Sequence, residues 1–543
     1  MAHVITQPCC NDAGCVSVCP VDCIRPRPGE PGFGRAELLH IDPETCIDCG
    51  ACIDECPVDA ILAEGDLTPE TEPYREVNAA YFAAEREPVM PLVEPPRLEL
   101  TDRGPLRVAI VGSGPSACYA AEELASHRDI DVEITMFERL PTPLGLVRYG
   151  VAPDHQHTKQ VASVFVRTLN RKQVSLQLNV EIGADISAAE LLDHHHAVIY
   201  ATGASQGRSL PLPGEHLSGI HTATEFVGWY NGHPDHAQRV FDLSGERAVI
   251  IGNGNVALDV ARILVTDVSA LARTDIADHA LEALAASRIR EVVVVGRRGP
   301  EHAAFTTPEL LGLGQVEGLD VRSDEIGSTT GLDPVVQLKN RVARQLAERA
   351  ADASHRRIVF RYFLSPESFH GTTAVEAVQF ARTENGTVPA NAERQVIDCH
   401  AVFASVGYRG IAVPGLPFRE SDGTIPHRGG RVTDVGGNTV RGTYVAGWIK
   451  RGPSGVIGTN RYCSRETVQA LLEDFAAGRL PVPHRTRTDL DALLDGRQPH
   501  RLGSAGWKSI DAAERRAGRA GGRPRVKFVE IADLLSAAGV TPV

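Results

Sequence analysis

Short apolar runs alternate with glycine-rich turns and helical segments along most of the chain. The residues Leu106-Arg-Val-Ala-Ile-Val111 predict a buried strand, and the apolar pattern after the next turn predicts a helix through Leu124. A second predicted strand, Val132-Glu-Ile-Thr-Met-Phe-Glu138, ends on an acid. Units of this kind build parallel sheets that are covered by helices. The pattern therefore predicts an α/β protein from residue 106 onwards.

The turn between the first strand and its helix has the spacing of a dinucleotide-binding loop. It reads Gly112-Ser-Gly114-Pro-Ser-Ala117, and Glu138 closes the following strand. Glycines at these positions let backbone N–H groups approach a pyrophosphate at a helix N-terminus. A carboxylate at the strand end accepts hydrogen bonds from the ribose hydroxyls of an adenosine. This loop is therefore predicted to bind FAD.

A second copy of the unit starts 140 residues further on, because Gly252 corresponds to Gly112. Its strands are predicted at Ala248-Val-Ile-Ile251 and at Glu291-Val-Val-Val-Val295, and the second is followed by Arg297 and Arg298. Paired guanidinium groups bind a 2′-phosphate through bidentate hydrogen bonds, whereas an acid would repel it. This site is therefore predicted to bind NADP(H). Its predicted loop residues are Gly252, Asn253, Gly254, Asn255 and Val256.

Nine of the 12 cysteines lie between residues 9 and 56. Four of them form the run Cys46-x2-Cys49-x2-Cys52-x3-Cys56-Pro57, which is typical of bacterial two-cluster ferredoxins. In such runs the first three cysteines hold one cluster and the fourth ligates the other. With Cys19 as the crossing ligand, Cys46, Cys49 and Cys52 complete a [4Fe–4S] site, which we call cluster II.

The upstream half of the cysteine pattern departs from the consensus. It reads Cys9-x2-Asp12-x2-Cys15-x3-Cys19-Pro20, so an aspartate stands where a thiolate is expected. Cluster I then has Cys9, Cys15 and Cys56, and is predicted to be [3Fe–4S] or a second [4Fe–4S] with one labile iron. Cys10 is an alternative first ligand. Cys23 has no place in either set, and we interpret it as a buried or cluster-adjacent thiol.

Composition and short segments complete the predicted organisation. Residues 67–105 are rich in proline and glutamate, which is typical of a semi-rigid linker. Segments 201–203 and 405–408 each follow an apolar strand and are interpreted as crossings between nested domains. The predicted units are a two-cluster iron–sulfur domain of small α+β type (1–66), the linker (67–105), the first part of the FAD domain (106–205), the NADP domain (206–405), and the second part of the FAD domain with a C-terminal extension (406–543).

The charge of the chain is unevenly distributed. The net charge is −14 over 543 residues, and residues 1–66 hold twelve Asp and Glu against three Arg, which gives −9. A surface of this sign excludes nucleic acid as a natural partner. No apolar run is long enough to span a membrane, and cluster-forming cysteines favour the cytoplasm. We expect the acidic N-terminal unit to dock on the less acidic flavin domain of the same chain.

Four longer motifs are Leu140-Pro-Thr-Pro-Leu-Gly-Leu-Val-Arg-Tyr-Gly-Val-Ala-Pro-Asp-His155, Gly252-Asn-Gly-Asn-Val-Ala-Leu-Asp259, Gly296-Arg-Arg-Gly-Pro300 and Gly447-Trp-Ile-Lys-Arg-Gly-Pro453. Through them residues 106–543 resemble the adrenodoxin reductase family of ferredoxin–NADP⁺ reductases, with a bacterial ferredoxin fused at 1–66. The resemblance implies a nested two-dinucleotide fold. It implies FAD contacts from Ser116, Ala117, Glu138, Leu146, Trp448, Gly455, Val456 and Ile457. It implies NADP contacts from Asn253, Asn255, Arg297, Arg298, Glu309 and the Gly455 backbone. His155 and Glu309 resemble the pair that is proposed to relay a proton beside the flavin.

These cofactors together predict a reaction. NADPH gives up two electrons as a hydride, a cluster accepts one, and a flavin can accept a pair and release it singly. The sequence therefore predicts an NADPH-dependent flavoprotein oxidoreductase of the ferredoxin–NADP⁺ reductase type. Two alternatives are the small subunit of an NADPH-dependent glutamate synthase and a non-catalytic electron-transfer subunit. The acceptor is left open among a separate ferredoxin, a cytochrome P450 and another reductive enzyme.

Overall fold

The computed structural model describes residues 2–36, 38–84 and 105–541. The N-terminal unit contains two pairs of short antiparallel strands, His3–Ile5 with Ile61–Ala63 and Ile24–Arg25 with His40–Ile41. Its short helices, Gly14–Val18 and Ala51–Asp54, each lie within one of the two cysteine patterns. The cysteine loops and these short strands together form a small α+β unit, as predicted.

Part of the segment expected to be a linker is instead a helix of the N-terminal unit. Helix Pro73–Phe82 packs on this unit, and Asn78 Oδ1 accepts hydrogen bonds from the N–H groups of Ile5 at 3.2 Å and Ile41 at 2.8 Å. Proline is tolerated here because Pro73 stands at the first helical position, where its missing N–H costs nothing. The unit therefore extends beyond residue 66, and residues 85–104 lie outside the described part.

A seven-stranded sheet forms the centre of the flavin domain. Five strands are parallel because they belong to βαβ units, and two short antiparallel strands extend one edge. In spatial order the strands are His427–Arg428, Arg431–Thr433, Thr439–Val445, Ala197–Tyr200, Leu106–Val111, Val132–Glu138 and Val174–Leu178. The central strands are almost fully buried, in agreement with their apolar sequences.

A second, six-stranded parallel sheet forms the NADP domain. In spatial order its strands are Ile220–Thr222, Ala401–Ala404, Arg247–Ile251, Glu291–Val295, Arg356–Arg361 and Leu319–Ser323. An antiparallel sheet of Leu364–His370, Ala377–Arg382 and Arg394–Asp398 is attached to it in sequence. Strands Gln206–Gly207 and Tyr408–Arg409 pair where the chain leaves and re-enters the flavin domain. The second domain is therefore inserted into the first.

Helices cover the faces of both sheets. In the flavin domain they are Pro115–Ser126, Leu146–Tyr149, Gln156–Lys159, Ala162–Leu169, Ala188–His194, Trp448–Arg451 and Thr459–Ala476. In the NADP domain they are Ala223–Tyr230, Asn255–Val265, Val268–Leu271, Asp278–Ala285, Thr307–Leu313 and Pro334–Ala347, and the C-terminal extension has Arg487–Arg497, Ser504–Ala520 and Ile531–Ala537. None of the helices in the described residues is both long and apolar enough to cross a bilayer.

Candidate functional site

The first glycine of each dinucleotide loop occupies a position that no other residue fits. Gly112 has φ +104°, and a Cβ there would lie 2.5 Å from the carbonyl oxygen of Ala201. Gly252 has φ +116°, and its Cβ would overlap the carbonyl oxygen of Ser405. Both carbonyls belong to the crossing segments predicted from the sequence. Each loop is therefore pressed against the point where the chain passes between the domains.

One cavity collects most of the residues that the sequence predicts as flavin contacts. Those that line it are Gly112, Gly114, Ser116, Glu138, Leu146, Trp448, Gly455, Val456 and Ile457. Ala117 lies beside them, fully buried in the first turn of helix Pro115–Ser126. Asn460, which the motif analysis did not select, accepts a hydrogen bond from Ser116 Oγ at 2.8 Å. The first turn of that helix leaves backbone N–H groups without helical partners, which suits a pyrophosphate.

The acid at the end of the second strand is held in place before any ligand arrives. Ser113 Oγ donates to one carboxylate oxygen of Glu138 at 2.6 Å, and the Leu140 N–H donates to the other at 3.1 Å. Burial raises the pKa of Glu138, and the Ser113 hydrogen bond opposes this rise. The carboxylate is thus a fixed acceptor on the wall of the cavity.

The second dinucleotide-binding unit differs from the first in the residues that follow its second strand. Gly254 caps helix Asn255–Val265, and Asn255 and Val256 line the same cavity as the flavin residues. Asn253 holds the loop through its carbonyl, which accepts from the Phe305 N–H at 2.9 Å. Arg297 and Arg298 are exposed, and neither forms an ion pair within the described ranges. The two guanidinium groups are therefore available to an external anion.

A compact cluster of charged residues lies between the two loops. His155, Asp259 and Glu309 each offer a ligating atom within 4.8 Å of the others. Arg262 occupies the centre, with contacts of 2.6 Å to Asp259, 2.9 Å to His155 Nε2 and 3.4 Å to Glu309. Because a guanidinium only donates, His155 Nε2 must accept. The arginine already supplies the positive charge, so we assign no metal to this group.

The pKa values of two acids that contact Arg262 are shifted in opposite directions. Burial would raise the pKa of Asp154, but the Arg262 guanidinium at 2.6 Å outweighs it and lowers that pKa to about 2. Burial, followed by the negative charge of Asp259, raises the pKa of Glu309. Of these two acids, Glu309 is therefore the one that more readily holds a proton. Acids separated in this way are typical of proton-transfer sites.

One contact to this cluster comes from the N-terminal unit. Gln7 Nε2 donates to Glu309 Oε1 at 3.3 Å and lowers the pKa of that carboxyl. No sequence signal pointed to Gln7, because an isolated glutamine two residues before Cys9 belongs to no motif. Arg262 could have been suspected only from its position one helical turn after Asp259.

The thiols predicted for cluster II surround one small cavity. Cys19, Cys46, Cys49 and Cys52 line it together with Cys23. The Cys23 N–H donates to Cys19 Sγ at 3.4 Å, and the two sulfur atoms are also 3.4 Å apart. Four thiolates with an N–H···S hydrogen bond fit a [4Fe–4S] cluster. Cys23 is buried beside the set, in agreement with its interpretation as a cluster-adjacent thiol.

The residues predicted for cluster I also lie together. Burial raises the pKa of Cys15, and negative charge on Cys9, Asp12 and Cys56 raises it further. The Ala60 N–H donates to Cys56 Sγ at 3.2 Å. Burial raises the pKa of the Cys9 thiol to about 12, so iron binding there is coupled to loss of a proton. The donor set fits an iron–sulfur cluster with three thiolates.

Asp12 and Cys10 both adjoin this set and both contact the flavin domain. The Asp12 carboxylate lies 3.6 Å from Arg461 Nη1, and its other oxygen accepts from the Gly14 N–H at 3.4 Å. The carbonyl of Cys10 accepts from the Gly458 N–H at 2.7 Å. A Cβ on Gly458 would overlap the backbone of residues 11–12. The N-terminal unit thus docks on the flavin domain, as its charge and tether predict.

Comparisons with known proteins agree with this architecture. Residues 106–300 match the family described as Pyridine nucleotide-disulphide oxidoreductase, and residues 39–62 match the 4Fe-4S binding domain. "Probable ferredoxin/ferredoxin--NADP reductase" of Mycobacterium tuberculosis is 50% identical over 564 residues, covering 100% of this chain and 96% of its own length. The mitochondrial NADPH:adrenodoxin oxidoreductase of Arabidopsis thaliana is 40% identical over 464 residues, covering 80% of this chain and 95% of its own length.

A solved structure gives the same result. Mycobacterium tuberculosis FprA in complex with NADPH is 45% identical, has a TM-score of 0.75, and covers 80% of this chain and 100% of its own. The nested two-dinucleotide fold, the fused ferredoxin and the family resemblance predicted from the sequence are all confirmed. The chain belongs to the family of ferredoxin/ferredoxin–NADP reductases.

Proposed function

We propose that this chain is an NADPH-dependent ferredoxin–NADP⁺ reductase that delivers single electrons to the iron–sulfur centres of its own N-terminal unit. When bound, FAD accepts the hydride of NADPH and releases the two electrons one at a time. Relatives that match over their full length are named for both halves, ferredoxin and reductase, which favours this function over a glutamate synthase subunit or a non-catalytic subunit.

The chain's own residues bind and orient the reactants. Arg297 and Arg298, exposed and free of ion pairs among the described residues, bind the 2′-phosphate of NADPH. Glu138, fixed by two donors, accepts from the adenosine ribose of FAD. Glu309, whose pKa is raised, holds the proton that His155 exchanges beside the flavin cavity. The two residues thus keep proton transfer close to the reacting ring.

One observation carries the proposal that the fused unit is the immediate acceptor. Cys9 and Cys10 line the same cavity as Gly114 and Trp448. Cys9, a predicted ligand of cluster I, would therefore hold that cluster beside the flavin cavity, so that no separate protein needs to diffuse to it. The contact is closed by the Cys10 to Gly458 hydrogen bond and by the edge-to-face pair of Phe33 and Tyr462, whose ring centroids are 5.0 Å apart.

We further propose that electrons leave the protein at cluster II. Cys49 is exposed, and beside it Ile47 is 58% and Ile53 is 39% exposed, which is uncommon for isoleucine. Exposed acids surround this patch, namely Glu44, Asp48, Asp54 and Glu55. An apolar centre with an acidic rim fits a one-electron acceptor that has a basic face, such as a cytochrome P450 or another redox protein. The cluster-forming cysteines also support a cytoplasmic protein.

Asp12 leads us to propose that cluster I is [3Fe–4S] or readily converts to it. The oxidised protein should then show the electron paramagnetic resonance signal of a three-iron centre, and Asp12→Cys should replace that signal with a four-iron spectrum in the reduced state. If Asp12→Cys leaves the signal unchanged, Cys10 is the residue to substitute next, and the assignment to Asp12 is wrong.

Stopped-flow mixing with NADPH, followed at flavin and cluster wavelengths, tests the whole proposal. Cluster reduction should follow flavin reduction at a rate that does not depend on protein concentration, because the tethered unit is already docked. A rate that rises with protein concentration would show that the unit serves a neighbouring molecule. Flavin reduction without any cluster reduction would overturn the proposed route.

A further inference from the structure

A second cavity lies on the opposite side of helix Leu146–Tyr149 from the flavin site. Leu146 and Tyr149 line the flavin cavity, whereas Val147 and Arg148 line a separate space of about 750 Å³. Its other walls come from helix Ala162–Leu169, helix Ser504–Ala520 and the loop after Cys56. The volume lies within the range of about 300–1,000 Å³ that small-molecule sites occupy. None of the residues predicted from the sequence as cofactor contacts lines it.

Positive charge exceeds negative charge around this second cavity. The basic residues in its walls are Arg148, Lys159, Lys508, Arg515, Arg525 and Lys527, and the acidic ones are Asp59, Asp275 and Asp511. At its inner end Lys159 and Lys527 share the single carboxylate of Asp275, at 2.6 and 3.1 Å. Burial lowers the pKa of both lysines. A second negative group beside them would be strongly stabilised.

A second shared carboxylate and two unsatisfied donors lie next to these lysines. Arg148 and Arg525 both pair with Glu514, at 2.5 and 3.0 Å. Arg148 is 5% exposed, yet its Nε–H has no hydrogen-bond partner in the described part of the chain. Asn231 Oδ1 accepts from Lys159 and Lys527, while its Nδ2 group also lacks a partner there. Buried donors almost always have an acceptor. Arg148 lines the cavity and Asn231 does not, so the Arg148 guanidinium is the group whose unpaired N–H bears on a ligand there.

The remaining wall of the cavity is apolar. Val166, Leu169, Leu176 and Trp507 line it, and the Arg148 guanidinium lies 5.8 Å from the centre of the Trp507 ring. The paired group of Arg148, Lys159, Arg525, Lys527, Asp275, Asp511 and Glu514 has a formal charge of +1, since four cations face three carboxylates. We propose that this cavity binds a small organic monoanion, with its carboxylate between Lys159, Lys527 and Arg148 and its apolar body against Trp507.

Calorimetric titration of the full-length protein, with FAD and clusters bound, tests this site directly. Octanoate should bind with a stoichiometry of one per chain, and the uncharged isostere octanamide should bind at least about tenfold more weakly, because it cannot pair with the lysines. Inorganic phosphate should bind more weakly than octanoate, because it lacks the apolar body. The readout is heat of binding and is independent of NADPH oxidation.

Three variants locate the binding. Lys527→Met removes an inner cation while Lys159 still pairs with Asp275, and we expect the affinity for octanoate to fall at least about tenfold. Arg515→Ala removes a cation at the mouth, where the side chain is 53% exposed, and should weaken binding by about two- to fivefold. Arg516→Ala is the matched control, because this exposed neighbour on the same helix does not line the cavity.

Several results would overturn the proposal. These are the absence of saturable octanoate binding, equal affinities for octanoate and octanamide, and an affinity that neither Lys527→Met nor Arg515→Ala changes relative to Arg516→Ala. If Lys527→Met does not fold, the comparison of Arg515→Ala with Arg516→Ala decides alone, because both positions are on the surface.

Discussion

The two dinucleotide-binding units share one backbone conformation in their loops but differ in the residues that follow their second strands. In each, a glycine at positive φ lies against the carbonyl of a crossing segment, Ala201 for Gly112 and Ser405 for Gly252. The first unit ends in Glu138, which is partly buried and held by two hydrogen bonds. The second ends in an exposed arginine pair. A fixed, partly buried acceptor suits a group that stays bound, and exposed cations suit a coenzyme that exchanges.

The N-terminal unit increases this difference. It covers the flavin side, where Cys10 bonds to Gly458 and Cys9 lines the cavity. The arginine pair of the second unit remains exposed. We therefore call the Glu138 end of the first unit the closed site and the exposed arginine pair of the second unit the open site, while the two loops themselves line one cavity.

Replacing the first glycine should give the largest effect. Gly112→Ala introduces a Cβ 2.5 Å from the Ala201 carbonyl oxygen, at a residue whose φ is +104°. We therefore expect the free energy of unfolding to fall by at least about 3 kcal/mol and the protein to be purified without bound flavin. Gly252→Ala should retain flavin but lose its reduction by NADPH, while dithionite still reduces it. Flavin absorbance per chain and thermal unfolding measure both.

Gly496→Ala is the control for these two variants, because a Cβ there meets nothing within 4 Å. A Gly112→Ala protein with a full complement of flavin would show that the closed site does not depend on this contact. Loss of flavin from Gly252→Ala would show that flavin binding depends on the second loop as well as on the first.

The next largest effect concerns coenzyme choice at the open site. Substituting both Arg297 and Arg298 with alanine should reduce kcat/KM for NADPH by about 2–4 kcal/mol in free energy, because charge-assisted bonds to the 2′-phosphate are lost. The values for NADH should hardly change, and Arg288→Ala, an exposed arginine of the same domain, should change neither. Steady-state kinetics with both coenzymes make the comparison. Equal losses would mean that the pair is structural.

The sequence predicted best those features that need a particular residue at a local position. A positive φ in a tight loop requires glycine, so both dinucleotide-binding loops could be predicted from their glycines. Four cysteines in one loop at this spacing are typical of an iron–sulfur site, so the cluster could be predicted as well. Central strands such as Leu106–Val111 and Glu291–Val295 were predicted because both of their faces are buried, whereas the strands Val174–Leu178 and Arg356–Arg361 were not predicted. In each case the physical requirement lies within a few residues of the signal.

Features formed by distant segments were not predicted. Arg262 joins Asp154 to Glu309, which lie 155 residues apart, and only the fold brings them together. Helix Pro73–Phe82 was interpreted as linker, because its stability comes from Asn78 and its apolar face packing on strands that precede it. Gly458 carries no motif of its own, and its lack of a side chain matters only because Asn11 and Asp12 lie against it.

Gly458→Ala should separate the docked unit from the flavin side without altering the flavin loop. Gly458 has φ −71°, which any residue adopts, so the only obstacle to a Cβ is the backbone of residues 11–12. Overpacking of this kind costs about 1–3 kcal/mol, so we expect cluster reduction to slow by about tenfold and to become sensitive to salt. Flavin reduction by NADPH should be unchanged, as in Gly496→Ala. Unchanged cluster reduction would show that the contact is not part of the route.

The smallest effect should come from Gln7, a side chain of the N-terminal unit that hydrogen-bonds to Glu309, the acid proposed to hold the proton. Gln7 donates to Glu309 at 3.3 Å, and this bond lowers a pKa that burial raises. Gln7→Leu should therefore raise the pKa of Glu309 further, and the corresponding limb of the pH profile for flavin reduction should move to higher pH. One hydrogen bond contributes about 0.5–1.5 kcal/mol, so rates at a fixed pH should change by less than about tenfold.

The matched control for Gln7→Leu is Gln315→Leu. It removes another hydrogen bond between the units, from Gln315 Nε2 to the Glu70 carbonyl at 2.9 Å, a bond that does not involve the Glu309 carboxylate. Stopped-flow reduction by NADPH across pH should show the displaced limb in Gln7→Leu, the wild-type profile in Gln315→Leu, and no such limb in Glu309→Gln. If Gln7→Leu and Gln315→Leu behave alike, the N-terminal unit only covers the flavin site. If they differ as expected, docking of the ferredoxin unit also lowers the pKa of Glu309, the acid proposed to exchange the proton. The closed site would then respond to its electron acceptor, whereas the open site would not.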